Sequence, residues 1–140
     1  MMNKFLKYFV FFLLILNASL INAQEKSGTA SGTMLVRISE IEIIPEHLEA
    51  YNTILKEEAA ASMKVEPGVI AIFPMSEKDR PNQIRIVEIY ANRQAYLSHL
   101  ETPHFKYYKS STLKMVKSLK LIDMNAMDRE TMSLIFTKMQ

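Results

Sequence analysis

The side chains best suited to chemistry in this 140-residue chain lie in HLETPHFKYY, where His99 and His104 flank Thr102 and Pro103. Imidazoles titrate near neutrality, so histidine is the usual residue for general acid–base work. His99 falls near the end of a short helical segment, where an imidazolium interacts favourably with the helix dipole and the last carbonyls. His104 falls in the first turn of the next helix. Two roles are open to each ring: bracing a helix junction, or, for His99 above all, facing a pocket and taking a proton from a bound phenol. A pocket-facing His99 should lie clear of the packed core. Glu88 is the third candidate, because in QIRIVEIY it shares a strand face with Ile84, Ile86 and Tyr90. An acid in an apolar row needs a partner, for which Arg37 or a histidine is available. It either holds strand to helix or orients the base. Tyr51, Phe73, Tyr90, Tyr96 and Phe105 occupy core-like positions, from which one or two can line a pocket.

Other chemistries find less support. His99 and His104 are separated by a proline and are not a helical chelating pair, so no metal is expected. Met124, Met127, Met132 and Met139 form a loose cluster that could bind Cu(I) but suits packing better. The chain has no cysteine, which excludes disulfides, thiolate catalysis and a lipid-modified cysteine. It also lacks a Gly-rich phosphate loop and a Ser nucleophile elbow.

These residues must be positioned by a small fold. TMLVRISEIEII is β-rich and stops at Pro45, which suits the first turn of a helix. Leu48, Tyr51, Leu55 and Ala59 then recur at helical spacing. VEPGV ends that helix. VIAIFPM and NQIRIVEIY read as two strands joined by the polar SEKDRP. A short helix spans roughly Arg93 to Leu100. Thr102 can cap the next one with Pro103 as its first residue, and Phe105, Tyr108, Thr112, Met115 and Leu119 form its buried stripe. LKLIDMNAM is the last strand, and DRETMSLIFTKMQ is an appendage, read as one more strand. The order strand, helix, strand, strand, helix, strand is an α+β split βαβ unit of the ferredoxin-like type. Its strands are apolar on both faces: Ile84 and Ile86 alternate with Val87 and Ile89, and Val69, Ala71 and Phe73 with Ile70 and Ile72. The helices cover one face, so a second copy of the sheet is the simplest cover for the other.

The N-terminus carries a different message. Lys4 and Lys7 precede the nine-residue apolar run YFVFFLLIL, and NASLINA ends in Ala23 before polar residues. This is the pattern of a secretory signal over residues 1–23, cut after Ala23; the alternative is an uncleaved anchor, for which the run is short. Residues 24–32, QEKSGTASG, read as a flexible leader, 33–125 as the domain and 126–140 as a C-terminal extension. Cleavage would remove Lys4 and Lys7 and no acid, taking 17 basic residues to 15 against 15 acidic ones. An exported, formally neutral protein, periplasmic or secreted, is thus expected, with no membrane span after cleavage and no net field to draw nucleic acid.

The run VEIYANRQAYLSHLETPHFKYY resembles the antibiotic biosynthesis monooxygenase family, particularly its quinol monooxygenase branch. Glu88 and Tyr90 match the acid and aromatic that end the family's third strand. His99, Leu100, Thr102, Pro103 and His104 match its helix-linking segment, and Glu66, Pro67 and Gly68 its turn. The resemblance covers about Met34 to Asp123. It implies a dimeric α+β barrel of two face-to-face sheets, and oxidation of a quinol-like or phenolic aromatic by dioxygen without metal, flavin or haem. His99 and Glu88 would then be catalytic, with Arg37, Tyr51, Phe73, Tyr90, Tyr96, His104 and Phe105 around the substrate. Haem-degrading relatives on this fold use a tryptophan and an asparagine; this chain has no tryptophan, and its first strand offers Arg37, Ser39 and Glu40 instead. A non-catalytic ligand-binding or stress-associated dimer is the alternative, since fold analogy does not separate the two.

Overall fold

The computed structural model describes residues 33–139; the expected export signal and leader lie outside them. Strand β1 (Leu35–Ile43) is followed by a 3₁₀ turn at Pro45–His47 and helix α1 (Leu48–Val65). Strands β2 (Val69–Ser76) and β3 (Gln83–Tyr90) lead to α2 (Arg93–Leu100), α3 (Pro103–Thr112) and strand β4 (Val116–Met124), and α4 (Arg129–Thr137) closes the chain. The four strands form one antiparallel sheet in the order β2-β3-β1-β4. This is the α+β ferredoxin-like fold expected from the order of elements. Among the described residues no helix is long and apolar enough to cross a membrane.

Period-two alternation decides what the sheet buries. Arg37, Ser39, Ile41 and Ile43 of β1 face the helices with Ile84, Ile86 and Tyr90 of β3. Against them α1 lays Tyr51, Leu55 and Ala59, and Val69 and Ile72 complete the core. The same α1 stripe also buries two polar residues, Glu58 and Ser62. On the second sheet face Val36, Ile38, Val87, Ile89 and Ile122 are only half-buried, and Phe73 is 59% exposed.

Four expectations are corrected. Phe73 does not join Val69 on the core side, because the β2–β3 register shifts between Val69 and Ala71. That shift turns Phe73 to the second face, opposite Val87, and away from any site under the helices. Leu119 is not in the stripe of α3: the helix stops at Thr112, whose hydroxyl bonds back to the Tyr108 carbonyl at 2.8 Å. Pairing of Val116 with Ile43 then takes the following residues into β4, three residues earlier than LKLIDMNAM suggested. The C-terminal extension is a helix rather than a strand. Asp128 begins it, its carboxylate accepting the Glu130 N–H at 2.9 Å and the Thr131 hydroxyl, so that otherwise unpaired donors at a helix start are satisfied.

Gly68 follows the end of α1, in the EPG turn. A Cβ there would stand 2.5 Å from the Cβ of Ala95 on α2, so the glycine lets the turn and this helix meet.

Candidate active site

Two caps place the histidines. Asn92 accepts the Ala95 N–H at 2.8 Å to start α2. Thr102 accepts the Phe105 N–H at 3.3 Å to start α3 and donates its hydroxyl to the His99 carbonyl at 2.8 Å, so one side chain ends one helix and begins the next. His99 lies in the last turn of α2, as expected, but it is 3% exposed and belongs to the packed interior. Its ring sits 4.6 Å from Phe105, 5.4 Å from Tyr90 and 6.4 Å from His104, measured between centroids.

Both histidines converge on acids carried by α1 and the turn after it. Glu66 Oε1 lies 3.0 Å from His99 Nδ1 and 2.6 Å from His104 Nε2. Glu58 Oε1 accepts the Ser62 hydroxyl at 2.7 Å and stands 3.7 Å from His99 Nε2. The two carboxyl groups are pushed in opposite directions. Burial raises Glu58 above the usual carboxylate range, more than the Ser62 hydroxyl and the nearby imidazoles lower it. Burial also acts on Glu66, but the hydrogen bonds from His99 and His104 outweigh it and hold Glu66 below that range. An ionised Glu66 accepts from His99 Nδ1–H, which leaves Nε2 as the unprotonated atom of the neutral ring.

The sheet supplies a second polar group. The Glu88 carboxylate accepts the hydroxyls of Ser39 and of Tyr90, the latter at 3.0 Å. Neither Arg37 nor a histidine is its partner. Arg37 is the cross-strand neighbour of Glu88, yet its Nε and Nη2 each lie 2.7 Å from Asp123 on β4, and its guanidinium lies 4.7 Å over the Tyr96 ring. Burial and then Glu88 raise the Tyr90 phenol well above its ordinary range, so it remains a donor. Tyr90 therefore joins the two groups: its hydroxyl holds Glu88 while its ring packs on His99 and, edge-on at 5.3 Å, on Tyr96. Tyr51 is fully buried and bonds Tyr108, hydroxyl to hydroxyl, at 2.7 Å.

Of the residues singled out in sequence, His99, His104, Phe105, Tyr90 and Glu88 are thus brought together. Arg37 and Tyr96 form an adjoining pair tied to Asp123, Tyr51 is linked to the cluster through Tyr108 and Phe105, and Phe73 lies on the other face. Glu58, Ser62, Glu66, Ser39 and Tyr108 were not anticipated as site residues. Glu58 and Ser62 had a signal, since they continue the helical spacing of Tyr51 and Leu55. The spacing argument against a histidine chelate also changes, because the fold adds Glu58: one ligand atom from each of Glu58, His99 and His104 lies within 4.8 Å of the other two.

Comparison with known proteins agrees with this architecture. The family profile described as antibiotic biosynthesis monooxygenase matches residues 34–110. The crystal structure of a candidate antibiotic biosynthesis monooxygenase from Bacteroides thetaiotaomicron is similar at 53% identity and a TM-score of 0.67, over 68% of this chain and 90% of that one. A candidate monooxygenase from Lactobacillus acidophilus matches at 33% identity and a TM-score of 0.64, over 67% of this chain and 45% of its own. At 20% identity and a TM-score of 0.65, a candidate from Nitrosomonas europaea shares the fold over 70% of this chain and 94% of its own. No curated protein matches the chain. On the profile match and the 53% identity, the chain belongs to the antibiotic biosynthesis monooxygenase family.

Proposed function

We propose that the protein is a monooxygenase that oxidises a quinol-like or phenolic aromatic with dioxygen, and that His99 is its base. The observation that carries this reading is the His99–Glu66 pair: a carboxylate on Nδ1 fixes the tautomer and leaves Nε2 to accept a proton, beside the rings of Tyr90 and Phe105. Removal of a phenolic proton makes an electron-rich anion able to pass one electron to dioxygen. Recombination of the resulting pair forms a carbon–oxygen bond. Loss of water then leaves one oxygen atom on the ring and the other in water, all four electrons coming from the substrate. The protein's share is to desolvate, orient and deprotonate. Tyr90 and Glu88 hold one wall, and His104 shares Glu66 with the base. Because His99 is enclosed, the rings around it must move aside to admit substrate.

The half-exposed apolar face of the sheet supports a two-fold dimer through the sheets, with an interface of roughly 2,000 Å² or more in total. The N-terminal pattern supports export with cleavage after Ala23. Oxygen uptake by the purified protein in chelator, across a panel of hydroquinones, tests the function: quinol-dependent consumption is expected, and its absence throughout the panel would remove the oxygenase reading. For the dimer, sedimentation at micromolar concentration is decisive, since a folded monomer is the contrary result. Intact mass of the exported protein should begin at Gln24.

A further inference from the structure

We propose that Glu58, His99 and His104 form a binding site for one divalent transition-metal ion of the zinc or cobalt kind. The three come from α1, α2 and α3, and each presents a ligand atom within 4.8 Å of the other two. Metal–ligand bonds of about 2.0–2.2 Å would bring these atoms to roughly 3.3 Å apart. Two imidazoles with one carboxylate suit borderline metals, whereas calcium and magnesium call for oxygen ligands.

The surroundings resemble an outer shell already in place. A ligating histidine normally gives its second N–H to a carboxylate, which fixes the metal-facing nitrogen. Glu66 does this for His99, holding Nδ1 at 3.0 Å and leaving Nε2 directed at Glu58 Oε1, 3.7 Å away. Ligating carboxylates are themselves hydrogen-bonded, and Ser62 supplies that bond to Glu58. Glu58 is 6% exposed and, among the described residues, has the Ser62 hydroxyl as its hydrogen-bond donor, an unfavourable place for a lone negative charge that a bound cation would compensate. His104, with 19% of its side chain exposed, opens the cluster toward solvent.

The site is independent of the oxygenase reading, though occupation would take the Nε2 atom that the proposed base uses. The test is titration of the chelator-treated, purified protein with Co²⁺, read by visible absorption and by histidine NMR. One Co²⁺ per chain is expected, displaced by Zn²⁺, with the resonances of His99 and His104 shifted and those of His47, the third histidine and an exposed one, unmoved. Glu58→Gln and His104→Asn should each weaken binding by more than the roughly 10- to 100-fold that loss of an outer-shell partner costs, while His47→Asn should leave it unchanged. Absence of saturable binding, or binding that shifts His47 and survives both site substitutions, would overturn the proposal. Wild-type stoichiometry and NMR decide it even where a variant fails to fold. Metal binding without slowed quinol oxidation would uphold the site and count against His99 as the base.

Discussion

The two faces of one sheet are built from the same four strands and differ in what they hold. Toward the helices, alternate residues of β1 and β3 are sealed: Ile43 and Tyr90 are fully buried, and the buried polar groups of that face find partners within the molecule, while on the edge strand β4 Leu119 and Leu121 lie beyond the helices' cover and are exposed. On the other side Val36, Ile38, Val87 and Ile89 are equally apolar but only partly covered. Hydrophobicity therefore does not distinguish interior from exterior here. The helices do, and the polar residues mark the difference. Arg37, Ser39 and Glu88 face the helices with their hydrogen bonds supplied, an arrangement costly to maintain for packing alone. The second face gathers its charges toward one end, with Glu40 between Arg85 and Lys120 and Glu42 bonded by Lys117 at 2.8 Å, and leaves Val36, Ile38, Val87, Ile89 and Ile122 as an apolar patch at the other. One face carries the candidate site, and the other an apolar surface that the helices leave half-covered.

The comparison can be broken first at the histidine. His99→Asn should lower quinol-dependent oxygen uptake by roughly 10²- to 10⁴-fold. It should also cost about 1–3 kcal/mol in denaturant unfolding, because the half-buried Glu66 loses a partner; unchanged turnover would leave the helix-side cluster with a structural role only. Next comes the contrast within β1. Ile43→Ala should cost about 2–5 kcal/mol at any protein concentration. Ile38→Ala should cost about 1 kcal/mol in a monomer, and more with a dependence on protein concentration if a second copy covers that face. Equal losses at the two positions would erase the distinction between the faces.

Gly68→Ala sharpens the site side. The added Cβ meets Ala95 Cβ, which is fixed to the α2 backbone rather than at the end of a flexible side chain, so the helix itself has to move. About 1–3 kcal/mol is expected in thermal or denaturant unfolding. Because α2 carries His99, turnover should fall as well. The smallest effect concerns Tyr108, whose phenol is pushed up to about 12, by burial first and by Glu58 and Glu88 in addition. A folded value above the unfolded one means stability that is fully present below about pH 10 and is lost as pH rises through about 12. Tyr108→Phe should cost about 1 kcal/mol at neutral pH through the lost bond to Tyr51 and should flatten the alkaline decline between those limits. A decline as steep as before would mean that Tyr108 does not carry it.

Much of this was legible in the order of residues. Strand alternation in QIRIVEIY, the Thr102–Pro103 start of α3 and the spacing of Tyr51, Leu55 and Ala59 are local signals, and each element formed near where those signals lie. Caps, turns and periodicities act over a few residues, so they survive in the chain whatever else it touches. The misreadings arose where a distant strand decided the outcome. Phe73 was turned outward by a bulge in its pairing with β3, and Leu119 was drawn into β4 by pairing with β1.

The site shows the same division. That His99 and His104 would meet at a helix junction was readable from the sequence. That Glu58 and Glu66 would close on them was not, because those acids lie 41 and 33 positions from His99 and only the packing of α1 beside α2 and α3 brings them within reach. Arg37 illustrates the converse: sequence chemistry offered it to Glu88, its neighbour across the sheet, and the fold gave it to Asp123 on the opposite strand. Residue types and short-range spacing thus determined which elements form and which groups can titrate, donate or bind. Tertiary structure alone decided which of them share a proton or could share a metal ion, since hydrogen bonding and coordination fall off within a few ångströms and sequence separation carries no measure of that distance.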